Sequence, residues 1–403
     1  MGGDCHPDLS VEAAQARLLD TSAPVVGVER LALTEALGRV LAEPVWAPIA
    51  LPREDHSALD GYAIDSVDGQ SRRRLRIVGR ALAGEPWPGT VVPGTCVRIM
   101  TGAMLPAGAN TVVAQESVQA AEGWITLDTP LTAGDNVRRV GEDVPAGAEG
   151  LAAGCLLDAR RIALLAALGL GAVVTHRTVR VGLLSTGSEL RGPGTALARG
   201  EQYDSNRPML AALLQQPCVR LHDLGTVVDD PNLLSARLAQ IGDLDRLVAN
   251  GGVSGGEADW VRPVLAERGQ LDFWRVAVKP GRPLAFGRLG ACWFMGLPGN
   301  PVSAYVTHRL FVQPVLQRLA GLRRFSPAVL RAPLLGTVRH RPGRTSFLRG
   351  RWEEQPDGET GVVPLPKQGS AMLSSLTQAD CLIELPAEQA EFAEGTPIRV
   401  WPL

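Results

Sequence analysis

Two glycine-rich turns limit this fold more than any other feature: NGGVSGG at 250–256 and GLPGNPVSA at 296–304. Each follows a largely apolar run, residues 244–249 and 292–295, and each leads into a helix-compatible stretch. A buried strand, a glycine turn and a helix N-terminus, in that order, is how open α/β sheets build anion sites. Glycine lets backbone N–H groups approach phosphate oxygens, and the helix dipole favours negative charge. Two such turns about one βαβ unit apart predict a ligand lying across several strand ends of one sheet. By themselves they point to a phosphate-bearing small molecule and to no particular reaction.

The pattern around these turns predicts an α/β domain over 179–325. Strand-like runs at 179–184, 220–227 and 244–249 alternate with helix-like stretches at 207–214 and 233–241 and a helix starting at 259. Short strands at 273–278 and 284–286 flank the KPGRP turn, and 302–319 reads as one long helix. This alternation calls for a mostly parallel sheet with helices on both faces. Upstream, Ser10 and Thr34 can cap two helices, carrying Val11, Ala14 and Leu18, then Leu37, Val40 and Leu41. Asp158 can cap a third over 159–168, with Gly169 as its stop. Residues 1–47 and 146–178 are therefore expected to form a helical linking domain. Residues 48–145, rich in short β-like runs with Gly and Pro turns, read as an inserted β-rich domain. Residues 326–403 read as a small, β-barrel-like C-terminal domain. The expected class is multidomain α+β and α/β, with a central three-layer α/β domain.

At 403 residues, 45% of them hydrophobic, the chain is too long for one core and rich enough for several. A net charge of −2 and 4% aromatics argue against nucleic-acid binding. Cys5, Cys96, Cys155, Cys218, Cys292 and Cys381 are dispersed with no C-x-x-C pair, as expected of free thiols in a reducing cytoplasm. The N-terminus lacks the pattern of a signal peptide, and no run of about 18 apolar residues predicts a membrane span. The histidines lack zinc-site spacing, and neither a G-x-S-x-G elbow nor a Walker loop is present.

Several positions could carry chemistry, each with a plainer alternative. Asp229 and Asp259 flank strand-end turns. They suit Mg²⁺ beside a phosphate, or a turn and a helix cap. Glu189, just after Thr186-Gly187-Ser188, has the same two readings. Lys279 and Arg282 sit on a proline-stiffened turn, which would hold an oxyanion or simply present solvated charges. Residues 338–351 carry Arg339, Arg341, Arg344, Arg349 and Arg351 with His340. This is either a solvated strand edge or a source of one or two arginines that close an anion site. SALDGYA at 57–63 and MTGA at 100–103 are weak signals singly.

In order, SALDGYA (57–63), RIMTGAMLPAGAN (98–110), NVRRVGED (136–143), STGSEL (185–190), YDSN (203–206), GGVSGGEADW (251–260), VKPGRP (278–283) and GLPGNPVSA (296–304) form a far more specific set. In that set the chain resembles the molybdopterin molybdenumtransferase family, related to the C-terminal domain of gephyrin, over essentially residues 9–400. The resemblance implies an enzyme of the last step of molybdenum cofactor synthesis. It would insert molybdenum from molybdate into adenylylated molybdopterin, with Mg²⁺, and release AMP. It also implies a homodimer whose active site is shared between subunits. Transient partners would be a molybdopterin adenylyltransferase and the molybdoenzymes or chaperones that receive the product.

Carried over residue by residue, the resemblance assigns catalytic roles to Asp60, Thr101, Glu189, Asp229, Asp259 and Lys279. Asp229 and Asp259 would be the Mg²⁺-linked acids, and Asp60 and Thr101 would reach the partner subunit's site. Substrate would be bound by Gly251, Gly252, Ser254, Pro298, Gly299, Asn300, Pro301, Ser303 and Arg138. Molybdate would lie against Lys279, Arg282, Arg349 and Ser370. The chain departs from the family pattern at Leu59, Asn110, Asn250, Gly255 and Arg282. Two other readings are a molybdopterin adenylyltransferase, which lacks a counterpart of 55–145, and a gephyrin-like scaffold without catalysis.

Overall fold

The computed structural model describes residues 8–25, 27–71, 73–128, 130–252, 263–264, 267, 269–323 and 329–403. Its centre is a six-stranded sheet in the spatial order Val219–Val227, Val179–Thr186, Arg246–Asn250, Cys292–Leu297, Pro283–Leu289, Gln270–Arg275. The first four strands are mutually parallel and the last two pair antiparallel. Strand side chains alternate between two faces, and here both faces are buried. Val181, Leu183, Val248 and Met295 enter one core with Leu210, Val302 and Leu316. Leu184, Leu247, Ala249 and Phe294 enter the other with Leu234 and Leu238. Covering both faces is what makes the strands read as continuous apolar runs.

The long helix expected at 302–319 forms in three continuous parts: Pro301–Thr307, a π-helical turn at His308–Val312, and Gln313–Leu319. The widened turn lies just before Pro314, whose ring removes an N–H and crowds the carbonyl one turn back. Helix Val11–Asp20 is capped by Ser10, whose Oγ accepts from the Ala13 N–H at 3.1 Å. Its buried Val11, Ala14 and Leu18 share the core of Val312, Val315 and Leu319, so it packs on the central domain.

The second helix expected after Thr34 does not form. Leu33–Glu35 is a short 3₁₀ turn, and Val40 and Leu41 lie in isolated bridges to Leu156 and Thr175. Gly38 takes φ +72°, a left-handed conformation that interrupts helical winding. The linking region is instead held by Val28–Ala32 paired antiparallel with Ala172–His176. Helix Ala159–Ala167 forms as expected, with Asp158 accepting from the Arg161 N–H at 3.0 Å and Gly169 at φ +79° beyond its end.

The inserted domain is a six-stranded mixed sheet in the order Thr111–Ala114, Gly61–Ile64, Thr95–Ile99, Arg74–Ala81, Trp124–Leu127, Val118–Ala121. Apolar clusters lie on both of its faces. In the C-terminal domain Leu330–Pro333, Pro397–Pro402, Cys381–Leu385, Thr345–Glu354 and Thr360–Pro364 pair in that order. A Leu334–Val362 bridge returns the last strand to the first, giving the barrel-like closure. The long strand Thr345–Glu354 also accepts Val278–Lys279 as a parallel neighbour, with Lys279 opposite Ser346. Phe347, Leu382 and Trp401 join the central core. The central and C-terminal domains therefore share a strand pairing and a core. No helix among the described residues is long and apolar enough to cross a membrane.

Candidate functional site

The two glycine turns meet at the carboxyl ends of the parallel strands. After Arg246–Asn250, Gly251 and Gly252 take φ +87° and +63°. A Cβ on Gly251 would lie 2.4 Å from the Thr186 carbonyl oxygen, so no larger residue fits. Asn250 is buried and joins the turns. Its Nδ2 donates to Pro298 O at 2.9 Å, and its Oδ1 accepts from Asn206 Nδ2 at 2.9 Å. Asn206 Nδ2 also donates to Gly299 O at 2.5 Å. Nothing but its place at the end of YDSN marks Asn206 in the sequence, because a polar residue opening a helix reads as a cap. Asn250 is the residue that ties the two turns together.

A cleft of about 780 Å³ opens between the second turn and the C-terminal domain. Pro298, Gly299, Asn300 and Ser303 form one wall, and Lys279 and Arg282 a second. Glu189 closes one side, and Arg349 and Ser370 come from the C-terminal domain. Pro301 starts the helix behind this wall and is not part of it. The Val302 N–H donates to Ser370 O at 3.1 Å, so the C-terminal domain satisfies one open donor of that helix. Gly281 takes φ +108°, and a Cβ there would meet Thr307 Cγ2 at 2.5 Å. Glycine thus lets the cationic turn sit against the helix. Gln202, Arg344 and Gln368 also line the cleft; the sequence marks Arg344 only as one member of the basic run, and the two isolated amides carry no spacing signal.

The electrostatics of the cleft are dominated by cations. Arg349 is 1% exposed, yet it has no carboxylate partner among the described residues. Its Nε donates to Ser375 Oγ at 3.1 Å, and its Nη2 to Lys367 O and Gly369 O at 3.2 Å each. Burial pushes its pKa down to about 10. Gln368 fixes the strand here, accepting from Arg349 N at 3.0 Å and donating to Arg349 O at 2.8 Å. Lys279 is exposed and makes no ion pair among the described residues. Arg282 is engaged by Asp8, its Nε donating at 2.7 Å and its Nη2 at 3.2 Å. The basic run 338–351 divides cleanly. Arg344 and Arg349 face the cleft, Arg339 pairs with Glu391 at 3.0 Å and Arg351 with Glu353 at 3.1 Å, and Arg341 is exposed.

Of the acids, Glu189 lines the cleft and Asp229 does not. Asp229 Oδ2 accepts from the Ser188 N–H at 2.9 Å, and the Asp229 N–H donates to Ser188 Oγ at 3.0 Å. This reciprocal pair locks Asp229 beside the strand end that carries Glu189. Asp230, not Asp229, caps helix Pro231–Leu238, accepting from Asn232 and Leu233. Glu189 Oε1 accepts from Gln202 Nε2 at 3.2 Å. Asp259 and Ser254 lie outside the described residues. Among the described residues no three His, Cys, Asp or Glu side chains are grouped to hold a metal ion. Asp229 and Glu189 nonetheless present hard carboxylate oxygens, the donor type Mg²⁺ takes in ones and twos together with waters and phosphates rather than in a full protein cage.

Asp60, Thr101 and Arg138 do not line this cleft. Asp60 Oδ1 accepts from the Thr101 N–H at 2.8 Å and from Thr101 Oγ1 at 2.7 Å. The backbone bond, then the hydroxyl, holds the carboxyl below its ordinary range. Arg138 is exposed on the short strand paired with His56–Ser57. The chain thus carries two separate polar groupings, a cationic cleft and an acid–hydroxyl pair.

Comparison with known proteins places three family descriptions along the chain. The MoeA N-terminal region (domains I and II) matches residues 9–169. A probable molybdopterin binding domain matches 182–318, and the MoeA C-terminal region (domain IV) matches 331–403. A molybdopterin molybdenumtransferase of Haemophilus influenzae is 37% identical, with 98% of each chain covered. One of Synechococcus elongatus is 37% identical over 97% of this chain and 99% of that protein. A crystal structure of the molybdopterin biosynthesis moeA protein of Pyrococcus horikoshii OT3 is similar in fold. Its TM-score is 0.85 at 28% identity, covering 98% of this chain and 100% of that one.

Proposed function

This chain belongs to the molybdopterin molybdenumtransferase family, and on that premise we propose that its cleft is the site where molybdate meets adenylylated molybdopterin. The chain is an enzyme of the molybdenum insertion step of cofactor biosynthesis. The observation that carries the site assignment is Arg349, a buried guanidinium without a carboxylate partner among the described residues, facing a cleft shared with Lys279 and Ser303. Keeping an unpaired cation out of water is unfavourable unless an anion completes it. A tetrahedral oxyanion answers that need, accepting from guanidinium, ammonium and hydroxyl groups.

The glycine turns hold the pterin nucleotide through their backbone, kept in register by Asn206 and Asn250. Asp229 and Asp259, with Glu189 nearby, would hold Mg²⁺ on the substrate phosphates. When bound, that ion supplies charge neutralisation for the departing AMP. The chain's own part is to position phosphates at one end and oxyanion at the other, with no protein nucleophile. Asp60, Thr101 and Arg138 lie outside the cleft of their own chain. This supports a homodimer in which the inserted domain of one copy completes the cleft of the other. Exposed Val28, Leu37 and Trp46 in the linking region offer apolar surface for such a contact. The buried thiols Cys96, Cys218, Cys292 and Cys381 support a cytoplasmic location.

The decisive assay supplies adenylylated molybdopterin with Mg²⁺ and titrates molybdate. AMP release that rises with molybdate is expected. Conversion of molybdopterin plus ATP instead would assign the adenylyltransferase reaction, which the relatives do not favour.

A further inference from the structure

Among the described residues the cleft has four cations in its wall: Lys279, Arg282, Arg344 and Arg349. They are not equivalent. Arg349 is sealed in the interior with two of its nitrogens committed to protein acceptors. Arg282 has its Nε and Nη2 held by the Asp8 carboxylate. Lys279 is a point charge without a planar fork. Arg344 differs from all three. It is half-buried in the cleft wall and has no ion pair or side-chain hydrogen bond among the described residues.

Its place is fixed by the seam between domains. The next residue, Thr345, donates its N–H to Ala277 O at 3.0 Å and lies opposite Val278 in the parallel pairing. Arg344 therefore enters the cleft at the start of the strand that carries Arg349, next to the strand that carries Lys279. A guanidinium kept half out of water without a carboxylate is a prepared anion ligand.

We propose that Arg344 is a substrate-binding residue, the outer guanidinium of the oxyanion site, which receives molybdate at the cleft mouth and holds it with Lys279 and Arg349. This rests on the insertase reading above. A dianion draws on more than one cation, and an arginine at the mouth both attracts it from solution and adds a donor pair. Arg282, held by Asp8, would assist only where the oxyanion displaces that carboxylate.

The test is direct molybdate binding to the full chain by calorimetry, with molybdate alone as the probe. Arg344→Gln is expected to weaken binding about tenfold, the loss of one charge-assisted contact. It should also raise the apparent KM for molybdate while leaving that for adenylylated molybdopterin unchanged. Arg341→Gln removes the same charge from an exposed neighbour and is expected to bind as wild type. Arg344→Lys, which keeps the charge, should recover part of the affinity and guards against a folding defect. Wild-type affinity in Arg344→Gln, an equal loss in Arg341→Gln, or no recovery in Arg344→Lys would overturn the proposal. Wild-type protein that binds no molybdate would overturn the insertase reading itself.

Discussion

Replacing Arg349 by methionine separates a binding role from a structural one. Methionine fills a similar volume without charge. Burial lowers the guanidinium pKa from its ordinary value to about 10, which puts the penalty for keeping it charged at roughly 3 kcal/mol. The sign follows from the direction. A base with a lowered folded pKa binds fewer protons when folded, so its penalty is fully present at neutral pH and fades as pH rises through about 10. The substitution removes that penalty. It also removes three charge-assisted hydrogen bonds, to Ser375, Lys367 and Gly369, each worth about 1.5 kcal/mol or more. The relief offsets much of that loss, so unfolding in urea should shift by roughly 1–2 kcal/mol. Molybdate binding should instead fall about 10- to 100-fold, because a charge-assisted contact is lost. Calorimetric titration with molybdate, beside urea unfolding of the same samples, reads both. A large loss of stability with unchanged molybdate affinity would refute the reasoning and make Arg349 a structural residue.

Asp60→Asn and Asp229→Asn should each abolish AMP release alone, whereas co-expressed and co-purified they should restore it if one copy completes the cleft of the other; an inactive mixture refutes the shared site. Asn250→Leu strands Pro298 O and removes the Asn206 bond, and should destabilise the chain by roughly 2–3 kcal/mol in denaturant titration. A change below about 0.5 kcal/mol would mean the turns hold without it. Thr101→Val removes a hydroxyl donor from Asp60, so the carboxyl should titrate at higher pH by carbon-13 NMR. The same sign means that whatever the Asp60 pair contributes to stability is present above the ordinary carboxylate range and disappears as pH falls through the lowered value.

Much of the architecture is local and therefore legible in the chain. Runs such as 181–184 and 292–295 are apolar on both faces, as strands sandwiched between helices must be. Ser10 and Asp158 sit where caps belong, because an orphan N–H needs a short polar side chain at a fixed offset. The second expected helix failed because Val40 and Leu41 pair with distant segments, and pairing partners far away leave no mark on local spacing. The π-helical turn is signalled only by Pro314, which fixes where winding is disturbed but not how.

The two glycine turns, with their lysine, arginine and aspartate neighbours, were enough by themselves to predict an anion site at strand ends. Glycine is needed where backbone must approach phosphate, and that requirement is written in residue type. Which arginines of the basic run face the cleft was decided only by the tertiary structure. Arg339, Arg344, Arg349 and Arg351 are chemically alike in sequence. They differ because strand Thr345–Glu354 pairs with Val278–Lys279 and turns Arg344 and Arg349 toward the cleft, while Glu391 and Glu353 neutralise the others. Charge is a property of the residue, but whether it is buried, paired or open to a ligand depends on what the rest of the chain brings beside it.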